Sequence, residues 1–501
     1  MSALPNSAYG QLETLFRRLG AIGEATSILH WDASTMMPAG SSDARGEQLA
    51  ALNTLSHEMI ASRETAELIA ASADEATSLD DWQAANLREM RRNWVHATAV
   101  DAALVEARTK ATMKCEMIWR DARPKSDFAA VLPALTEVVN LAKQSANAKA
   151  AKLGLHPYDA MMDQYSPGVR AAVVDKIFAE LAAKLPGMID QTLARQATAT
   201  PPIEPQGPFP AAAQRAVGTK FMELLGFDFT GGRLDTSAHP FSGGTPDDLR
   251  ITTRYDEDDF TRGLMGILHE TGHALYEKGL PKEWRRQPVG EARGMDVHES
   301  QSLLIEMQVC RSPEFLSYAT PHLKAAFNGD GPAWTPENLA RIYTRVARSL
   351  IRVDADEMTY PLHVILRYRL ERALISGDLA LADLPGAWND AMRDLIGIAP
   401  DSDRTGCLQD IHWYDGAFGY FPSYTLGAMA AAQMFQAAKK ADPTILPAIA
   451  QGDFKPLYAW LGANVHGYGC RFETPDLITK ATGAPLSVAP FLTHLERRYL
   501  G

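Results

Sequence analysis

Apolar positions recur at intervals of three and four over most of the chain. In "QLETLFRRLGAIGEATSIL" (11–29), "DWQAANLREMRRNWVHATAV" (81–100) and "DKIFAELAAKLPGMIDQTLARQ" (175–196) they gather on one helical face. The spacing predicts nearly continuous helix from 8 to 195. It stops at "ATATPPIEPQGPFPAAAQ" (197–214), where Pro201, Pro202, Pro205, Pro208 and Pro210 remove backbone donors and exclude regular helix. Between about 225 and 256 paired glycines separate short runs rich in Thr, Phe, Ile and Tyr, which predicts a small antiparallel sheet. Helical spacing then resumes through 337–375, 424–441 and 489–500. The expected fold is mostly α: one unit over 1–501, with two lobes lining a deep cleft, a proline-rich junction near 197–214 and one small sheet.

One helical stretch breaks the apolar rule. "GLMGILHETGHALYEKG" (263–279) sets His269, Glu270 and His273 among Leu264, Ile267, Leu268 and Leu275. Residues four apart leave a helix on the same face, so both imidazoles can reach one cation. Without a shared partner, two imidazoles and a carboxylate on a buried helix would be unfavourable. A second helix, "DVHESQSLLIEMQVC" (296–310), follows a loop punctuated by Pro and Gly and carries two candidates for a third ligand, Glu299 and His298. Neighbouring helical residues diverge by about 100°, so only one of the two faces the metal. A His, His, Glu set with an open position is the pattern of a catalytic zinc site, and Glu270 is placed to take a proton from water. That chemistry hydrolyses peptide bonds.

Composition narrows the function further. The chain is 46% hydrophobic and 22% charged, with a formal net charge of −12, which argues against a nucleic-acid surface. No stretch approaches the about 18 apolar residues of a membrane span, and no basic-then-apolar leader opens the chain, so a cytoplasmic protein without a membrane partner is expected. Cys115, Cys310, Cys407 and Cys470 are widely separated, as reduced core thiols would be.

Several further motifs accompany HExxH in order: HPF (239–241), "DLRIT" (248–252), "HESQS" (298–302), "IRVDAD" (351–356) and "GCLQDIHW" (406–413). With "HWDASTMMPAG" (30–40) and "HPYDAMMDQYSPG" (156–168), this series resembles the M32 metallocarboxypeptidases, the carboxypeptidase Taq family, over most of the chain. The resemblance implies a homodimer with a helical fold similar to neurolysin and angiotensin-converting enzyme. It also implies one zinc or cobalt ion per subunit, Glu299 as the third ligand, and removal of C-terminal residues from peptides with broad specificity. Related peptidases often carry an aspartate four residues after that glutamate; here the position is Leu303, which leaves the partner of the histidine ligands unassigned. A substrate with a free terminal carboxylate calls for a guanidinium, and Arg352 and Arg250 are the candidates. His412 and Gln409 are candidate donors to the substrate backbone. Tyr420, with Tyr424 second, is the candidate donor to the oxyanion. The other readings are a helical HExxH oligopeptidase or dipeptidyl carboxypeptidase and, more remotely, an inactive peptide-binding protein.

Overall fold

The computed structural model describes residues 7–237 and 239–501. The first part is helical, as the spacing predicts: α1 (Ala8–Thr35), α2 (Ser42–Ile60), α3 (Arg63–Asp74), α4 (Asp81–Thr98), α5 (Ala102–Lys125), α6 (Phe128–Leu153), α7 (Pro157–Met162) and α8 (Ala171–Thr198). Local chemistry sets several starts. Asp80 and Gln83 form a reciprocal capping box at α4, and Asp101 and Asp127 cap α5 and α6. An irregular segment then crosses the surface to α9 (Ala211–Leu225), where Phe209 packs edge-on against Phe260, Phe327 and Trp334. The proline-rich break therefore tethers one part of the molecule to the next.

The sheet is mixed, whereas the pattern predicts an antiparallel one. Strands β1 (Gly232–Thr236), β2 (Phe241–Thr245) and β3 (Asp248–Thr253) lie in the order β1-β3-β2. β2 and β3 form an antiparallel hairpin, but β1 pairs parallel to β3. The physical reason lies in burial. β3 carries Leu249 and Ile251, both buried, and takes the centre; β2 ("FSGGT"), with two glycines and no fully buried residue, is left at an edge.

The helices that carry the HExxH and HESQS motifs follow: α10 (Phe260–Gly279), capped by Asp259, and α11 (Gly294–Leu303), which runs straight into a π-helical turn over Leu304–Cys310. The remaining helices are α12 (Pro313–Ala326), α13 (Pro336–Tyr343), α14 (Tyr360–Ser376), α15 (Leu384–Ile396), α16 (Pro422–Ala441), α17 (Ile445–Ile449), α18 (Lys455–Asn464), α19 (Thr474–Thr482) and α20 (Val488–Leu495). The helical spacing over 337–375 does not give one helix: α13 ends at Tyr343 and α14 begins at Tyr360. Between them Asp356 accepts the backbone N–H groups of Ala347, Met358 and Thr359, and Arg352 gives its own N–H to Gln409. Side-chain acceptors here capture the donors a helix would use.

Two hydrophobic cores share α16. Val131, Leu135, Leu181, Leu362 and Ile365 belong to one, together with Leu426 and Met429 of α16. Phe221, Leu268, Leu304 and Leu323 belong to the other, together with Ala430, Ala431 and Met434. α11 lies between α10 and α16, and glycines set both spacings. A Cβ on Gly272 of α10 would sit 2.6 Å from Gln301 O and 2.7 Å from Ser302 Cα of α11. One on Gly427 of α16 would sit 3.0 Å from Asp296 O. Ahead of α11, Arg293 pairs with Glu89 of α4 through bonds of 3.0 and 3.1 Å, both side chains buried, and so ties the early helices to the metal helix.

Gly272→Ala should cost about 1–3 kcal/mol, because backbone rather than a flexible side chain meets the new methyl. Gly266→Ala, at a position where a Cβ meets nothing within 4 Å, should be neutral or mildly stabilising. Denaturant unfolding of the two metal-free variants side by side checks the contrast.

Candidate active site

α10 and α11 bring His269, His273 and Glu299 together, with one ligand atom of each inside 4.8 Å of the others. His273 Nε2 lies 3.4 Å and His269 Nε2 3.9 Å from Glu299 Oε2. His298 does not join them. Its Nδ1 lies 2.6 Å from His273 Nδ1, and its Nε2 lies 2.9 Å from Glu277 Oε1. A carboxylate only accepts, so His298 donates from Nε2 to Glu277, accepts at Nδ1 from His273, and leaves His273 Nε2 free to ligate.

The other histidine is held in the same way. His269 Nδ1 donates to Glu306 Oε2 at 2.9 Å, and Glu306 Oε1 accepts from Arg311 at 2.5 Å. Glu306, seven residues after Glu299 in the π-helical turn, supplies the partner that Leu303 does not; Leu303 is buried in the second core. Both imidazoles thus have their Nδ1 atoms engaged and turn Nε2 towards Glu299, the orientation that a metal-ligating pair requires.

Electrostatics match that geometry. Burial opposes charge on His269, but the Glu306 hydrogen bond and the charges of Glu299 and Glu270 override it and lift its pKa to about 10. Burial takes His273 down to about 4, with His298 and His269 adding to the effect. Glu299 is pushed up by burial, yet its bond to His273 and the charge of His269 bring it down to about 2. Three carboxylates facing few cations favour a positive charge in their midst, and the donor set of two imidazole nitrogens and a carboxylate oxygen suits a divalent cation. Glu270 is buried and has no hydrogen bond among the described residues; burial raises its pKa to about 7. A carboxylate so poised can take and return a proton near neutrality.

A second group of residues faces Glu299 from α14, α16 and the loop before α16. Burial raises the pKa values of Tyr360, Tyr420 and Tyr424, and the negative charge of Glu299 adds to the effect. Tyr420 stacks edge-on with Tyr165 and Tyr424 at 5.0 and 5.1 Å, and Tyr424 Oη lies 3.4 Å from His412 Nε2. Arg352 lies 5.0 Å from the Tyr424 ring, donates to Tyr360 Oη at 3.3 Å, and pairs with Asp410 at 2.8 Å. Arg367, fully buried, binds the other oxygen of Asp410 at 2.5 Å. Two guanidinium groups against one carboxylate leave positive charge in excess. Burial and the two arginines take His412 down to about 4, with Asp410 opposing.

Two sequence candidates stand elsewhere. Gln409 does not face a substrate: its Nε2 donates to Leu350 O and Thr405 O, while its Oε1 accepts from Arg352 N and Arg367. Its amide is consumed in building the cluster. Arg250, on β3, is held by both oxygens of Asp248 and lies 4.6 Å from the Trp31 ring, with no bond to the Arg352 group. Glu306, Glu277, Tyr360 and Arg367 escaped the sequence reading. The signal for Glu306 was its place two turns beyond Glu299, which a π-helical register shifts from the expected position.

An HExxH pair on one helix, a glutamate from the next and a buried glutamate beside them form the donor pattern of a helical metallopeptidase. A family model described as "Carboxypeptidase Taq (M32) metallopeptidase" matches residues 11–499, and the chain belongs to that family. The chain is 39% identical to thermostable carboxypeptidase 1 of Thermus thermophilus, covering 99% of both, and 33% identical to carboxypeptidase 1 of Bacillus subtilis, covering 97% and 96%. The solved structure of Trypanosoma cruzi metallocarboxypeptidase 1 superposes with a TM-score of 0.97 at 41% identity, over 99% of each chain. The activity is that of a metal-dependent carboxypeptidase.

Glu306→Gln and His298→Ala should each weaken metal retention about 10- to 100-fold by releasing the orientation of one imidazole. Arg250→Gln should leave it unchanged. Competition with a chelating dye measures all three.

Proposed function

We propose that this carboxypeptidase removes single C-terminal residues from peptides with broad specificity, one zinc ion per subunit serving the reaction, as a cytoplasmic homodimer in a single catalytic unit. What supports the reading is the His269, His273 and Glu299 cluster together with a positive group at Arg352, which lies against Tyr360 and Tyr424, two phenols on which the charges of Arg352 and Glu299 act in opposite senses. A peptide C-terminus presents a carbonyl to attack and, one residue on, a carboxylate to hold, so its polarity complements this arrangement.

His269 Nε2, His273 Nε2 and Glu299 would hold the cation, which when bound supplies Lewis acidity to water and to the scissile carbonyl. Glu270 takes the proton of the attacking water and returns it to the leaving amine. Its raised proton affinity suits both halves of that exchange. Tyr420 donates its phenolic hydrogen to the carbonyl oxygen as charge grows there, with Tyr424 behind it. Arg352 binds the terminal carboxylate, and Asp410 and the Gln409 amide fix it in place. His412, uncharged, orients Tyr424. The homodimer rests on the family resemblance, and no helix among the described residues is long and apolar enough to cross a membrane.

Glu270→Gln should keep the metal and lower kcat about 10²- to 10⁴-fold. Metal analysis beside steady-state kinetics checks this, and undiminished turnover would defeat the role. Amidating the C-terminus of a substrate, or substituting Arg352→Gln, should lower kcat/KM on the order of 10²-fold or more, because a buried charge loses its partner. An internal-cutting enzyme would be indifferent to amidation.

A further inference from the structure

Behind the metal helices lie two adjoining cavities of about 320 and 250 Å³, sharing Gln308, Lys439, Leu446, His494 and Arg497 as walls. The C-terminal end of α16, the final turns of the chain and the start of α12 enclose them. Their lining is strongly basic: Arg311, Lys439, Lys440, Arg497 and Arg498, against Glu314 as the acidic residue. Two of these cations are neutralised from behind. Arg311 pairs with Glu306 at 2.5 Å, and Arg498 shares Glu357 with His494 at 3.1 and 2.8 Å.

The others are not. Among the described residues no carboxylate lies within ion-pair distance of Lys439, Lys440 or Arg497, and the Lys439 ammonium rests over the Phe435 ring at 4.4 Å. Lys439 is half-buried; desolvation and the charges of Arg497 and Arg498 lower its pKa, with Glu314 opposing. Basic residues in the last turn of α16 complement its carbonyl end, which accounts for Lys439 and Lys440 but not for Arg497. The amino end of α12, a 14-residue helix capped by Ser312, opens into the same space and adds positive potential. Arg311 Nε is also buried with no acceptor.

We propose that this pocket is a second binding site, separate from the metal centre, for a small soluble anion of the phosphate class carrying more than one negative charge. Lysine ammonium groups and the forked donors of arginine suit tetrahedral oxyanions, and three uncompensated cations match a diphosphate better than a monoanion. The enclosed volume admits a group of that size. A chain with a net charge of −12 repels extended polyanions, which favours a small ligand over a nucleic acid. Arg311 brings the pocket within two hydrogen bonds of His269, through Glu306.

Calorimetric titration of inorganic pyrophosphate into the metal-loaded enzyme tests the site, with Lys439→Gln/Arg497→Gln and the charge-preserving Lys439→Arg/Arg497→Lys in parallel. The expected result is saturable binding that weakens about 10-fold or more in the first variant and persists in the second, with peptide hydrolysis intact in both. Arg497→Gln alone, on an exposed side chain, gives the same direction should the double variant fold poorly. Absence of saturable binding, or equal affinity in the neutralised variants, overturns the proposal; equal affinity with competitive inhibition places the anion at the metal instead.

Discussion

The site depends on how closely α10 can approach α11. A residue with any side chain at position 272 would meet the backbone at 301 and 302, and the carboxylate of Glu299 would withdraw from the imidazoles it must join. Glycine inside a helix costs up to about 1 kcal/mol relative to alanine. Here that loss is offset by a ligand geometry two helices cannot reach at ordinary separation. The arrangement is maintained from both sides, since α11 also rests on Gly427 of α16 and its leading Arg293 is locked to Glu89.

Around that contact the molecule builds two opposed charge imbalances. At the ligands, the carboxylates of Glu270, Glu299 and Glu306 outnumber the charges near them, so that in their company even a buried imidazole holds its proton firmly. At the end of α14, Arg352 and Arg367 share the lone carboxylate of Asp410. Neither imbalance is comfortable alone in a low-dielectric interior. A cation would relieve the first and an anion the second, and under the function proposed above a peptide ending in a free carboxylate would meet both. Tyr360 and Tyr424 lie against Arg352 and Tyr420 against Tyr424, adding hydroxyl hydrogens without adding charge.

Much of this was legible in the sequence because it depended on local spacing. The shared face of His269 and His273 follows from helical period, Glu270 came from the HExxH pattern around them, and Glu299 needed the motif context to separate it from His298. What stayed hidden was long-range or depended on register. Glu306 depends on the π-helical turn that aims its carboxylate, and Arg367 on Asp410, which comes to it from a distant loop. The surroundings of Gln409 were not legible because an amide can face either way; its oxygen and nitrogen are both taken up within the cluster. The parallel pairing of β1 reflects which strand is most apolar across the whole sheet, which no single strand reveals. The interruption between α13 and α14 was masked by apolar spacing; Asp356 overrode it by competing for backbone donors.

The two-sided packing of α16 has a consequence for how the enzyme can be changed. Its interior stretch from Gly427 through Ala432, small residues broken by Met429, touches both cores and the back of α11 at once. Enlarging one of these side chains would therefore push on the catalytic carboxylates and on two separate packing units together, with no free direction for relief. Efforts to toughen the protein against heat have more room on the outer helices, such as α2, where no residue is fully buried, and would leave the central helix as it stands.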